Sequence, residues 1–296
     1  MAPDLRRLRY FVAVAEEGHI TRASERLGLQ QAPLSQQIKK LETELDARLF
    51  HRRPKGMELT EAGRALLIEA RAILARAAEA EAAVRRAARG ETGRLRVGFT
   101  NSACFHPATP AAIAAFHAVA PGVALSFEQA STTRLVERLR AGEIDVAFIR
   151  TATARPEGLQ LRRLAEEPMV AALPAAHPLT AAPAVALTDL AAETFIAYPR
   201  SEGAGLYDAV IAACHGAGFS PRIGHETPQM IATLSLVAAG LGVSIVPESL
   251  RRMRLDGVEY RDLVAAAPPR ADLNLAARLG ESSAAVKRFV EAVIRI

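Results

Sequence analysis

From Thr60 past position 90 the chain carries alanine in every turn and no proline. Alanine is the strongest helix former and proline the strongest breaker, so this stretch predicts one long helix. Thr60 is a suitable N-cap, and Gly90 and Gly93 a suitable stop. Such a helix has no core of its own to cover. It therefore divides the 296-residue chain, which exceeds one modest core in any case, into a short part before it and a long part after it. Leu66, Ala70, Ile73, Ala77, Ala80, Val84 and Ala87 step alternately by four and three, the seam of a helix that meets a partner helix. Leu66, Ala70, Ile73, Ala77 and Val84 are accordingly the dimerisation candidates. A seam made mostly of alanine allows close approach but buries little area, so other contacts between subunits must add to it.

Before this helix, three short helices and a hairpin are predicted. Leu5, Leu8, Phe11, Val12 and Ala15 recur at helical spacing up to Gly18, and Ile20, Ala23 and Leu27 give a second helix closed by Gly28. Leu34, Ile38, Leu41 and Leu45 form the inward stripe of a third, which leaves Ala32, Gln36, Lys39 and Lys40 on the opposite face. Two helices joined by a tight glycine turn, the second presenting amides and ammonium groups, describe a helix-turn-helix. Leu49-Phe50 and Glu58-Leu59 flank a charged tip, His51 to Gly56, which predicts a basic wing.

Charge location supports a DNA-facing role for this part. The net charge is +5, and from Arg22 to Lys55 the basic residues are Arg22, Arg26, Lys39, Lys40, Arg48, Arg52, Arg53 and Lys55, against four acids. Amides pair with adenine edges and hydroxyls are more tolerant, so Gln31, Ser35 and Gln36 are the candidate base readers. Arg22, Arg52, Arg53 and Lys55 suit phosphate contacts, which position a protein on DNA and make affinity fall with salt.

After the long helix, strands and helices alternate. Leu95 to Phe99, Val123 to Phe127 and Asp145 to Ile149 read as strands with helices between them, a parallel α/β pattern that resumes from Thr194. Leu273 to Ala277 and a helix from Ser282 to Arg295 are available to return to the first lobe. In parallel α/β sheets, ligands gather beyond the carboxyl ends of strands, where helix N-termini also point. Thr100, Asn101 and Ser102 follow the first strand, Ser131, Thr132 and Thr133 the second, and Arg150 the third. Hydroxyls and backbone N–H groups with an arginine nearby suit a carboxylate.

Other chemistry is not indicated. The charged start of the chain is unlike a signal peptide, and no apolar run is long enough to span a membrane. Cys104 and Cys214 alone cannot build a disulfide framework or a zinc cage, which points to reduced thiols in the cytoplasm. The histidines lack metal-ligand spacing, so neither metal nor cofactor is expected. Cys104 and His106 have no acid placed for a catalytic dyad. Gly240-Leu241-Gly242 follows a helix and reads as a stop and turn rather than a phosphate loop.

The run Ala23-Ser24-Glu25-Arg26-Leu27, Gln31, Leu34-Ser35, Gln37-Ile38, Leu41-Glu42, Leu45, Leu49-Phe50, Arg52, Leu59-Thr60 and Ala62-Gly63 resembles the LysR-type transcriptional regulators. The likeness continues to Leu241-Gly242-Val243-Ser244-Ile245-Val246-Pro247. Within that family it is similar to the branch that controls aromatic-acid catabolism and answers to muconate-like acids. The resemblance implies an α+α/β architecture: a winged helix-turn-helix at 1–59, a linker helix at 60–92, and a two-lobed domain of periplasmic-binding-protein type at 93–296. Lobe I would comprise about 93–163 and 269–296, and lobe II about 164–268. By the same resemblance, Ser102 and Thr132 fall on effector-binding positions, faced by Tyr198-Pro199 and Thr227. Gln30 stands where the family usually has a capping serine at the start of the recognition helix, Gln36 where a basic residue is common, and Asp46 where glycine is common. The implied function is a non-enzymatic regulator that binds an inverted-repeat promoter site. It would assemble as a homodimer and then a homotetramer, sense an organic acid between its lobes, and contact RNA polymerase. A solute-binding protein, an enzyme using Cys104, and a repressor with silent lobes are the rival readings.

Overall fold

The computed structural model describes residues 4–53, 56–151 and 156–294, and the chain divides into two units, Met1–Arg86 and Ala87–Ile296. In the first unit, α1 (Leu5–Glu17) starts where the Asp4 carboxylate accepts from the Arg7 N–H at 2.8 Å and stops at Gly18. Gly28, left-handed at φ 65, turns α2 (Ile20–Leu27) toward α3 (Gln31–Glu44). Leu34, Ile38 and Leu41 bury the inner face of α3 against Leu8, Phe11, Val14 and Ala23. The hairpin β1 (Phe50–Arg53) and β2 (Gly56–Leu59) follows, antiparallel, with Phe50 opposite Leu59. It reaches farther than its sequence suggests. His51, Arg52 and Arg53 were expected in the tip but belong to β1, and Gly56 opens β2. Their side chains are all exposed, so no apolar alternation marks that strand. Positions 54 and 55 lie outside the described residues.

The long helix is α4 (Glu61–Ala88), capped by Thr60 Oγ1, which accepts from the Gly63 N–H at 2.9 Å. One expectation for it needs correction. Ala70 is fully buried, and Leu66, Leu67 and Leu74 pack on the same core as α1 and α3, so Leu66 and Ala70 cover their own chain. A four-three seam cannot distinguish a partner within the chain from one outside it. Ile73 and Val84 remain 44% and 70% exposed, and Ala77 is half-buried.

In the second unit, lobe I is built from β3 (Thr92–Phe99), α5 (Ala108–Val119), β4 (Gly122–Gln129), α6 (Thr132–Arg140), β5 (Val146–Arg150) and β6 (Leu159–Ala165). Lobe II follows as β7 (Met169–Pro174), β8 (Ala184–Ala186), β9 (Thr194–Ala197), α7 (Ala204–Gly216), β10 (Arg222–Glu226), α8 (Met230–Ala238), β11 (Ser244–Pro247) and β12 (Val258–Val264). The chain then returns: β13 (Leu273–Arg278) enters the first sheet between β5 and β6, giving the order β4-β3-β5-β13-β6. The last helix, α9 (Ala284–Ile294), packs Phe289 edge-on against Phe116 at 5.1 Å and Phe148 at 6.1 Å.

The parallel pairing that the alternation suggests is present in both lobes, in lobe II between β9 and β10, but each lobe also holds a mixed sheet. β3 is parallel to β4 and β5, but β13 is antiparallel to both its neighbours. In lobe II, β7 lies antiparallel between β11 and β12. β7 reads as an unbroken apolar run, buried along nearly its whole length, which carries no period to announce a strand. The two passages between the lobes run side by side, with the Ala271 N–H donating to Glu167 O at 2.8 Å and the Met169 N–H to Pro269 O at 3.1 Å.

Candidate functional site

The outer face of α3 is polar because its apolar residues are used inward. Gln31, Ala32, Gln36, Lys39 and Lys40 are exposed, and Ser35 is half-buried beside Leu34. Gln31 also ties α3 to α2, its Oε1 accepting from Thr21 Oγ1 at 3.2 Å. Arg52 and Arg53 are exposed on the hairpin, while Arg22 on α2 donates to the Glu17 backbone carbonyl and Arg53 pairs with the Glu58 carboxylate at 3.1 Å. Solvent-exposed pairs of this kind hold weakly, so a phosphate can displace the carboxylate. Lys55 lies outside the described residues.

Gln30 occupies the N-cap position of α3 with extended backbone but makes no side-chain cap bond. Gln30→Ser is therefore expected to add about 1 kcal/mol to the stability of the first unit. Urea denaturation reads this directly, and an unchanged midpoint would show that the helix start is satisfied by other means.

In the second unit, Thr100, Asn101, Ser102, Thr132 and Arg150, placed by strand ends, and Tyr198, implied by the resemblance, line one cleft between the lobes. Gly203, Leu206 and Met230 line it too, and sequence reasoning did not select them. The cleft is drawn nearly shut, with about 10 Å³ of open space, room for about one water. Three helices begin at its wall: α6 at Thr132, α7 just after Gly203, and α8 at Met230. Neither α7 nor α8 is capped by its own N-cap side chain. At α8 the Met230 N–H donates across the cleft to Asn101 Oδ1 at 3.3 Å instead, and Thr133 Oγ1 makes a separate link by donating to Ser201 O at 3.1 Å.

The remaining predicted residues have other partners. Ser131 caps α6 by accepting from the Arg134 N–H at 3.2 Å, and Thr227 shapes the turn before α8 by accepting from the Gln229 N–H at 3.4 Å. Thr133 makes the bond just described, and Pro199 is not among the lining residues.

The place of Arg150 after the third strand leaves two expectations open, a contact with the ligand or service in a secondary pocket or an ion pair. It is the last residue of β5, only 2% exposed, and its guanidinium points into a polar knot behind the cleft. Nε donates to Ser102 Oγ at 2.9 Å, Nη1 to Ala271 O, and Nη2 to Ser102 O, while Nη2 also pairs with Glu167 Oε2 at 2.7 Å. Burial pulls the Arg150 pKa down, and the Glu167 carboxylate opposes that shift. Arg150 thus positions Ser102, with its charge matched by Glu167. Thr100 Oγ1, also in the wall, is buried with no hydrogen-bond partner among the described residues. Burial pushes the Tyr198 hydroxyl up to about 12, so at neutral pH it remains an O–H donor.

Cys104 offers no nucleophile. Its Sγ donates to Asn101 O at 2.9 Å and burial pushes its thiol pKa up, away from the thiolate. No group of acidic, histidine or cysteine side chains among the described residues could hold a metal ion.

Comparison with known proteins covers both units. The helix-turn-helix profile described as "Bacterial regulatory helix-turn-helix protein, lysR family" matches residues 5–64, and that of the "LysR substrate binding domain" matches residues 88–295. The chain is 40% identical over 257 residues to the uncharacterized HTH-type transcriptional regulator YnfL of Escherichia coli (strain K12), covering 87% of this chain and 86% of YnfL. It is 38% identical over 288 residues to the HTH-type transcriptional regulator BudR of Raoultella terrigena, covering 97% and 99%. The crystal structure of CbnR, a LysR family transcriptional regulator, aligns with a TM-score of 0.85 at 32% identity, over 98% of this chain and 100% of CbnR. Full-length CbnR complexed with its target DNA aligns with a TM-score of 0.82 at 31% identity, over 99% of each chain.

Proposed function

The chain belongs to the LysR family of DNA-binding transcriptional regulators, with an effector-binding domain behind its helix-turn-helix, and we propose that its effector is a small carboxylate held in the cleft between the lobes. The observation that carries this is the meeting of three helix N-termini at one cleft whose wall also contains a buried Thr100 hydroxyl with no hydrogen-bond partner among the described residues. A helix start carries N–H groups without intrahelical partners and about half a positive charge, so an anion there gains field, and gains hydrogen bonds where those N–H groups are free or can be released. Thr100, Ser102, Thr132 and Tyr198 supply hydroxyls, and Arg150 acts from behind Ser102. Asn101 and Met230, which now bond to each other, are the first pair a ligand must displace or spread.

Ligand that binds one lobe arrangement better than another shifts the population toward it. In this reading the shift is felt at the DNA. Gln31, Ser35 and Gln36 read base edges, with Gln30 and Ala32 at the groove-facing start of α3. Arg22, Lys39, Lys40, Arg52, Arg53 and Lys55 hold phosphates. Ile73, Ala77 and Val84 on α4 supply the exposed part of a dimer seam, and paired readers fit an inverted repeat. Further assembly to a tetramer, contact with RNA polymerase and control of organic-acid catabolism, aromatic acids included, complete the proposal.

A salt-titrated footprint on DNA upstream of the protein's own gene tests it, repeated with each member of an acid panel and with the corresponding amides. The expected result is a protected inverted repeat whose extent changes with an acid and not with its amide. Thr132→Val should then weaken the acid response by about tenfold, the loss of one charge-assisted hydrogen bond. An amide as effective as its acid would overturn the carboxylate, and protection that no acid alters would overturn the sensing cleft.

A further inference from the structure

Three of the cleft's lining residues also face a second space. Tyr198, Leu206 and Met230 line this second cavity, which runs into lobe II past Val210 on α7, Ile223 on β10 and Ile245 on β11. It offers about 30 Å³, room for about two water-sized groups, and none of its lining residues is charged. Space walled by aliphatic and aromatic carbon gains contact when carbon fills it, and gives water too few hydrogen bonds to be held well. Polarity therefore falls from cleft to cavity: hydroxyls and helix N-termini line the first, and uncharged, mostly apolar side chains the second, where Tyr198 and Tyr207 alone among the lining residues carry hydroxyls. Met230 stands at the junction, and a methionine side chain adapts its shape readily.

We propose that this regulator recognises a monocarboxylate with a short apolar tail, the carboxylate in the cleft and the tail passing between Tyr198, Leu206 and Met230 into the lobe II cavity. The proposal rests on the carboxylate reading of the cleft and adds what lies at the other end of the ligand. A dicarboxylate of similar length brings its second charge into a cavity with no cation and no charged partner, where desolvation of that charge goes uncompensated. The pocket thus selects against diacids as well as for apolar length.

The full-length protein is titrated with acetate, propionate, butyrate and succinate, binding being read from the ligand-dependent shift in thermal unfolding. From acetate to butyrate each added methylene is expected to tighten binding about fourfold, so butyrate exceeds acetate by about sixteenfold. Succinate, matched to butyrate in carbon count, is expected to bind at least tenfold more weakly than butyrate. Val210→Phe fills the cavity and should collapse the butyrate-to-acetate ratio toward one. Ile223→Ala enlarges the cavity and should move the preference to a bulkier acid such as isovalerate, so the test does not depend on one variant folding. Acids that bind alike whatever their tail, succinate equal to butyrate, or a ratio untouched by both substitutions would each overturn the tail pocket while leaving the carboxylate cleft in place. Failure of every acid, acetate included, would overturn the cleft reading itself and the tail pocket with it.

Discussion

Arg150→Ala is expected to destabilise the second unit by about 3–5 kcal/mol, the effect of removing one partner from a fully buried ion pair. Arg150 and Glu167 are only 2% and 3% exposed, and the pair is closed at 2.7 Å. The alanine leaves the Glu167 carboxylate buried without its cation, and among the described residues the Ser249 N–H, at 2.5 Å to Oε1, is the hydrogen-bond donor left to it. It also strips donors from Ser102 and Ala271 O. These groups come from different parts of the unit: β5 in lobe I, both passages between the lobes, and the turn after β11 in lobe II. The knot therefore fixes the lobes as well as the strand end, and effector response should fall with stability. Glu167→Leu combined with Arg150→Met should recover part of the loss, because an apolar pair carries no desolvation penalty, but the Ser249 N–H and Ala271 O remain unpaired. Urea denaturation of the two singles and the double gives the coupling energy. A single variant within 1 kcal/mol of the parent would mean that water reaches this pair and that the lobes are held elsewhere.

That knot also shows where the sequence stops being informative. Thr100, Ser102 and Thr132 were legible because strand ends in an α/β pattern identify their place whatever the tertiary detail. Arg150 was legible as a residue near the cleft but not as a buried one, because Glu167 lies in a Glu-Glu-Pro segment that reads as an exposed turn. Only the side-by-side passage of two distant segments brings it inside. Leu206 and Met230 sit on apolar helices whose periodicity spells core, and Gly203 carries no side chain to suggest a role. In the first unit, the inward stripe of α3 was plain from spacing. The function of Glu42 was not: its Oε1 accepts from the Leu49 and Phe50 N–H groups at 2.8 and 3.3 Å, tying α3 to the hairpin. On sequence it is one more acid on a helix. Asp46, where the family commonly has glycine, holds a left-handed φ of 47, a strained choice that the local sequence disguises.

Gly63→Ala tests close packing against helix propensity, and the two predict opposite signs. Gly63 lies in the first turn of α4, where alanine should stabilise by about 1 kcal/mol if the helix stood alone. Here a Cβ would stand 2.1 Å from Leu49 O and 2.9 Å from Leu59 Cδ2. The leucine side chain can give way, but the carbonyl is held. Leu49 O accepts from the Thr60 N–H at 3.0 Å, and Thr60 Oγ1 both accepts from the Gly63 N–H and donates to Arg48 O at 2.7 Å. Helix start and hairpin are one clamped structure, so the added methyl must push them apart. Overpacking of a well-fitted site opposes folding by about 3 kcal/mol, which leaves a net loss of about 2 kcal/mol after the propensity gain. The same displacement moves Arg52 and Arg53 relative to α3, so DNA binding should weaken in a way that lower salt only partly restores. A variant more stable than the parent by the propensity increment would show that α4 can slide from the hairpin without penalty, and that Gly63 is not what fixes the wing against the recognition helix.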